Sequence, residues 1–421
     1  MGPALALALF AVYWLAPLPM LADPRYSLLL SHSLAFQRSF DLIHYFPRPL
    51  NPQLGGDDRH PYHVELVGKE LRYFFPVGGS ILAIPAVVVA ELVGAGPVGP
   101  DGAYNLQRET TLQHFLAAAL IAFWAWLVFQ TCLVRLSVGL SACVTLAAGL
   151  GTQALSTASQ QLWSDTWGLV LLQIVLWLLL RARRVQSGLL GTLLAWSYIV
   201  RPTYSIAVLA VLAYLALERR WRLLAWTMAT GSAWGAMFVA WSKHAYGTPL
   251  PSYYDPASRF SLALANPALL GNLVSPSRGL FVFVPAAAIV LAILLLRWRT
   301  VPDRRLAAVA VAAVLGHWAA TSAITNNWWG GVSYGPRLMT GALPWLVLIC
   351  IEALAALTGA IYRRTALALC MAAGLVGIAM NAPGAFSVQA LLWTSVPADV
   401  GERPERLWSW RDPQFLAPLR R

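Results

Sequence analysis

Chemistry in this chain begins at Asp23, which closes the first long apolar stretch in the run Asp23-Pro24-Arg25-Tyr26. A carboxylate at the boundary between lipid and water, partly desolvated and kept ionised by a neighbouring cation, is suited to act as a general base. Asp-Pro also ends helices, so spacing alone leaves catalysis and helix termination both open. Asp41 follows in Ser39-Phe40-Asp41-Leu42, after an amphipathic stretch. A second carboxylate there would bind a metal or orient a sugar hydroxyl; a solvated loop residue is the plainer reading. His60, His63, Glu65 and Glu70 form a loose group in which His-x-x-His has zinc-like spacing. Neither a cysteine nor a His-Glu-x-x-His pattern supports it, so a divalent metal is neither required nor excluded.

Three arginines stand apart from the basic clusters. Arg201 sits in Val200-Arg201-Pro202, Arg278 in Ser275-Pro276-Ser277-Arg278-Gly279, and Arg337 ends the run that begins at Asn326. A guanidinium beside a helix start suits a phosphate, and three on one face point to the phosphate or pyrophosphate of a lipid. Singly, each also fits an arginine snorkelling to headgroups. Trp328, Trp329, Tyr334, Tyr253 and Tyr254 fall at the same level, with Asp165 in another short loop on that side. Aromatic faces stack on sugars, and aromatic belts also mark membrane interfaces. Gly330, Gly331 and Gly335 predict a tight loop rather than a belt. No Gly-Lys-Ser/Thr follows to make it a P-loop.

The elements that must position these residues are membrane helices. The chain has 421 residues, 58% hydrophobic and 11% charged, where a soluble chain carries about 25% charged residues. Its apolar residues come in runs of about 20, the length that crosses a hydrocarbon core. The net charge of +12 comes from arginines that punctuate apolar runs instead of gathering in one face or tail. That pattern excludes a nucleic-acid partner and reads as the positive-inside rule. Cys132, Cys143, Cys350 and Cys370 all lie within apolar runs and read as small core hydrophobes.

About eleven spans are expected, near 4–22, 112–134, 137–156, 166–181, 186–200, 203–217, 223–242, 279–296, 306–325, 339–358 and 365–382. Basic clusters follow alternate spans, at Arg135, at Arg181, Arg183 and Arg184, at Arg219, Arg220 and Arg222, from Arg297 to Arg305, and at Arg363 and Arg364. Placing them all in the cytoplasm obeys the rule throughout. It requires residues 75–96, apolar but interrupted by Pro76, Gly78, Gly79 and Pro85, to lie on the outer side as an interfacial helix. The chain is then one transmembrane domain, 1–421. Its first extracytoplasmic loop, 23–111, carries interfacial helices, and 383–421 form a short extracytoplasmic tail. The first stretch lacks a basic leader and reads as a retained signal-anchor. The acids agree with this placement: only Glu218 and Asp303 fall in cytoplasmic loops, and Glu352 lies within a span.

Seven motifs carry a resemblance beyond these patterns. After the Asp23 run come SLAFQRSFDL (Ser33 to Leu42), YFFPVGGSILAIP (Tyr73 to Pro85), GTQALSTASQQLW (Gly151 to Trp163), IVRPTY (Ile199 to Tyr204), SPSRGLFVFVP (Ser275 to Pro285) and WWGGVSYGPR (Trp328 to Arg337). In this order, over most of the chain, they resemble the polytopic GT-C glycosyltransferases that use polyprenyl-phosphate sugars, a group that includes protein O-mannosyltransferases and aminoarabinose transferases. The tail ERLWSWRDPQF (Glu405 to Phe415) is similar to the ends of bacterial members of unassigned specificity.

The resemblance implies an all-α GT-C-like membrane fold and an inverting transfer in a bacterial inner membrane. A sugar would pass from a polyprenyl-phosphate carrier to an extracytoplasmic glycolipid, glycan or protein, in a site facing the periplasm or cell exterior. Asp23 would deprotonate the acceptor hydroxyl, with Asp41 as the second carboxylate. Arg201, Arg278 and Arg337 would hold the donor phosphate. Lys69 or Arg72 would stand in for a lysine that aminoarabinose transferases carry where this chain has Phe75. Tyr26, Asp165, Tyr254, Trp328, Trp329 and Tyr334 would line the substrate. Many relatives follow the first span with an acidic pair, whereas Pro24 and Arg25 follow Asp23 here. A lipid-linked-sugar flippase or other transporter is the competing expectation, favoured by inverted repeats and midspan charges. No clear repeat is visible, and Glu352 is the main midspan charge. A transferase predicts that Asp23, Arg201, Arg278 and Arg337 converge on one outer cavity.

Overall fold

The computed structural model describes residues 1–17, 22–46, 62–181, 187–255, 267–324, 327–358 and 360–420. Of the described residues, 71% are helical. In order, the helices are α1 (Gly2–Trp14), α2 (Ser27–His32), α3 (Gly78–Leu92), α4 (Leu106–Cys132), α5 (Val138–Leu150), α6 (Ser164–Arg181), α7 (Ser187–Val200), α8 (Ser205–Leu217) and α9 (Trp221–Tyr246). They continue as α10 (Ala268–Val274), α11 (Leu280–Phe283), α12 (Pro285–Leu296), α13 (Arg304–Ser322), α14 (Leu343–Ala355), α15 (Ala360–Phe386) and α16 (Val388–Leu392). Among the described residues, six helical segments are long and apolar enough to cross a membrane: Leu106–Cys132, Ser164–Arg181, Trp221–Tyr246, Arg304–Ser322, Arg337–Ala355 and Arg363–Phe386. The chain is a helical membrane protein. The apolar side chains on α9 and α15 face outward, Trp226, Met237, Leu375 and others being exposed, the inverse of a soluble protein.

Local chemistry sets the ends of these helices. Asn105 caps α4 by accepting from the Arg108 N–H at 3.0 Å, and Asp303 caps α13 through the Leu306 N–H at 2.9 Å. Gly247, at φ +73°, closes α9 in the left-handed conformation. The expected first span stops at Trp14, because Pro17 disfavours helical geometry at the residue before it. Pro85, read as an interruption, leaves α3 continuous from Gly78 to Leu92. The described parts of the first loop are also not all helical. An antiparallel hairpin pairs β1 (Val64–Val67) with β2 (Glu70–Tyr73), Val64 opposite Tyr73, across a two-residue Gly68-Lys69 turn with Gly68 at φ +65°.

At the centre lies α14, packed by α4, α5, α6, α12 and α13. It links two polar clusters at opposite ends of the molecule. At its end, Glu352 accepts from the Asp303 N–H at 3.1 Å and lies 2.7 Å from Arg135 Nε. Tyr214 donates to Asp303 at 3.0 Å, and Arg305 pairs with Glu218 at 2.9 Å. Glu352 is thus a helix-end residue in an ion pair rather than a midspan charge. At the beginning of the same segment, Arg337 pairs with Asp23.

Candidate active site

Asp23 sits on a backbone turn that is held from all sides. His63 Nε2 donates to the Ala22 carbonyl at 3.1 Å, the Tyr73 hydroxyl to the Asp23 carbonyl at 2.8 Å, and Gln113 Nε2 to the Pro24 carbonyl at 2.8 Å. Glu109, fully buried on α4, accepts from the Tyr26 N–H at 3.0 Å, the Leu28 N–H at 2.9 Å, the Tyr104 hydroxyl at 2.6 Å and Gln113 at 3.1 Å. All four acceptor positions of that carboxylate are used. Tyr26 needs this support, since its φ of +71° is sparsely populated for a tyrosine. With the main chain satisfied, the Asp23 carboxylate, 30% exposed, is left to face a cation.

That cation is Arg337. One guanidinium nitrogen pairs with Asp23, and another donates to the Gly330 carbonyl at 3.0 Å. The guanidinium carbon stands 3.7 Å from the centroid of the Trp163 ring, a cation–π contact. The loop that delivers Arg337 turns at Gly330, Gly331 and Gly335, with φ of +79°, +64° and +57°, a conformation open to glycine. Arg278 holds this loop by donating to the carbonyls of Trp329 at 2.8 Å and Ser333 at 3.0 Å. Gln414, from the C-terminal tail, takes a hydrogen bond from Arg278, accepts from the Gly335 N–H at 3.2 Å and donates to Ser333 at 3.1 Å.

A second pair lies beside the first. Arg201 donates to Asp165 at 2.6 Å and to the Ser164 hydroxyl at 3.2 Å, and both side chains are almost fully buried. Asp165 is close enough to Asp23 and Arg337 to feel the charges of both. A cavity of about 20 Å³ opens next to it, lined among others by Asp23, Ser27, Tyr73, Phe75, Ser80 and Ser164. It admits one water-sized group. His63, which holds the Ala22 carbonyl, stays neutral: burial, reinforced by the charge of Arg25, lowers it from 6.5 to about 4.

The structure therefore brings Asp23 and Arg337 into contact, while Arg201 pairs with Asp165; of the four residues expected to converge on one cavity, Asp23 lines it and the three arginines do not. Arg278 is turned to the loop carbonyls. Asp41 accepts from the Ile43 and Leu71 N–H groups, each at 2.9 Å, and so ties a helical turn to β2. Lys69 is exposed in the hairpin turn, and Arg72 pairs with Glu70 and stacks on Tyr246 at 5.1 Å. Tyr26 packs against Phe46 and Tyr104, and Tyr254 donates to the Ile199 carbonyl. Tyr334 is buried and donates to the Met380 carbonyl at 2.6 Å. Trp328 sits against Trp329 and Trp408. Among the described residues, no three His, Cys, Asp or Glu side chains gather as metal ligands; His60 lies outside them. Sequence reasoning passed over Glu109, Gln113, Tyr73, Trp163 and Gln414. Glu109 and Gln113 carried one usable signal, a four-residue spacing that puts both on one face of α4. No family model, curated protein or solved structure matches this chain.

Proposed function

We propose that this protein is a GT-C-like glycosyltransferase that moves a sugar from a polyprenyl phosphate to an extracytoplasmic acceptor with inversion. One observation carries the reading: a partly exposed carboxylate and a buried guanidinium, Asp23 and Arg337, meet beside a cavity at one end of the helices. Arg337 neutralises the departing phosphate, and Asp23 takes the proton of the attacking hydroxyl. The acceptor oxygen bonds to the anomeric carbon as its bond to the phosphate oxygen breaks. Activation was done when the carrier was loaded, so no nucleotide site is needed.

In this reading the chain crosses eleven times, through the six long segments and five shorter helices, Gly2–Trp14, Val138–Leu150, Ser187–Val200, Pro202–Leu217 and Pro285–Leu296. The sixth short helix, α3, lies against α2 of the first loop and stays on the outer side. The basic end, with Arg135 and Arg305, faces the cytoplasm, and the Asp23 end faces the periplasm or exterior of a bacterial cell. The pairing of Glu352 with Arg135 at a helix end removes the midspan charge that favoured a transporter. The test is release of polyprenyl phosphate from a panel of polyprenyl-phosphate sugars by purified protein; a panel that is bound but moved across vesicles unhydrolysed and untransferred would favour the flippase.

A further inference from the structure

Asp23 and Arg337 are assigned opposite tasks, yet in this structure each occupies the other. Resting on that assignment, we infer that the Asp23–Arg337 pair is a latch: the base is held by the cation until a phosphate takes its place. The two partners differ in freedom. Arg337 is 7% exposed, sits on the Trp163 ring at 3.7 Å and donates to the Gly330 carbonyl at 3.0 Å. Its loop is held in turn by Arg278 and Gln414. Its Nε is buried and without a partner among the described residues, so the guanidinium has a donor left to offer. Asp23 is 30% exposed, and its side chain makes no second bond among those found for the described residues. Asp23 is the partner that leaves, by rotation of a short side chain, while Arg337 stays.

The consequence is an ordered cycle. A carboxylate bound to a guanidinium is a poor base, because accepting a proton forfeits the pairing. The donor phosphate displaces it, and Asp23 turns, unpaired, towards the cavity that admits the acceptor hydroxyl. In the transfer the acceptor oxygen forms its bond to the anomeric carbon, the bond from that carbon to the phosphate oxygen breaks, and the acceptor proton passes to Asp23. The leaving polyprenyl phosphate gains the negative charge. Protonated Asp23 cannot compete for Arg337, so the product stays until Asp23 gives its proton to water. The restored carboxylate then reclaims Arg337 and expels the product. Without donor, Asp23 remains latched, which protects the site from idle chemistry. The Asp165–Arg201 pair offers no such exchange, since both side chains are buried.

Farnesyl phosphate, with farnesol as control, is the probe. Its affinity for the purified protein is measured in detergent for the wild type, Asp23→Asn, Asp23→Ser, Arg337→Gln and the Asp23→Asn/Arg337→Gln double variant, each checked by thermal melting. An internal anion that must be displaced taxes the ligand by the latched fraction. Removing it should tighten binding by about tenfold or more in both Asp23 variants, with no gain in the Arg337→Gln background. Farnesol should show no difference. Equal or weaker binding by the folded Asp23 variants, with loss in Arg337→Gln, would overturn the latch and leave the phosphate site standing. Binding that ignores Arg337→Gln, or no binding by any variant, would overturn the phosphate assignment and the latch with it.

Discussion

At the scale of single residues, three arginines with one chemistry have three different surroundings. Arg337 faces a partly exposed carboxylate, Arg201 a buried one, and Arg278 only carbonyls and an amide. Their substitutions should separate accordingly. Arg337→Ala is expected to weaken lipid-phosphate binding while the melting temperature moves little, since Asp23 can turn to water. Arg201→Ala leaves the Asp165 carboxylate buried without a cation, a change that costs about 3–5 kcal/mol, and Arg201→Ala/Asp165→Leu should regain much of it. Equal melting losses for Arg337→Ala and Arg201→Ala would contradict that division. His63 gives a pH signature. The unfolded chain takes up a proton on this side chain below 6.5, whereas the folded one stays neutral to about 4. Stability is therefore full above 6.5 and falls as pH drops through that window. His63→Gln, which can still donate to Ala22, should flatten the melting curve against pH between 6.5 and 4. All three arginines were visible in the sequence as candidates; their partners were not, because pairing across the fold depends on which helix ends meet.

At the scale of elements, α3 and the hairpin set the wall around Asp23. A Cβ at Gly78 would come within 2.7 Å of the Ile199 carbonyl, so α3 docks on the end of α7 only because that residue is glycine. Gly78→Val should undock α3 and lower the melting temperature strongly, whereas Gly139→Ala on α5, with open space around its Cβ position, should not. If α3 stays on the outer side, a cysteine at Asp101 is labelled by an impermeant reagent from outside; labelling only from the cytoplasm would mean that α3 crosses. The apolar run of α3 was legible in the sequence, and its expected place outside rests on the arginine alternation. The hairpin was missed, although Val64-Glu65-Leu66-Val67 and Leu71-Arg72-Tyr73 flank a Gly-Lys turn. Four-residue strands give too little alternation to stand out beside long apolar helices. The end of α1 was misplaced for a similar reason: hydropathy continues to Ala22, while the helix stops at Trp14 ahead of Pro17. Hydropathy measures preference for lipid, and only backbone geometry decides where a helix ends.

At the scale of the whole molecule, two polar ends separated by α14 make a testable topology. The C-terminal tail is part of the Asp23 end, because Gln414 bonds the loop that carries Arg337. A reporter fused after Arg421 should therefore be active only outside the cytoplasm, and a cytoplasm-active fusion would invert the whole arrangement. Long apolar runs and alternating arginines made the class of fold legible, since both follow from what a bilayer tolerates. Shorter helices of 12 to 14 residues, such as α5, α7 and α12, reach only about 20 Å at 1.5 Å per residue, so their length alone does not carry them across a hydrocarbon core of about 30 Å. The central claim remains that Asp23 removes a proton during transfer, and one comparison tests it most directly. Wild-type protein and Asp23→Asn are given the polyprenyl-phosphate sugar that the wild type turns over, with its acceptor, and release of polyprenyl phosphate is followed. The carboxamide keeps the shape of the side chain but cannot take a proton, so turnover should fall by about 10²–10⁴-fold with the melting temperature retained and donor binding no weaker than in the wild type. Near-normal turnover by a folded Asp23→Asn would contradict the account and leave Asp23 as the partner of a structural ion pair.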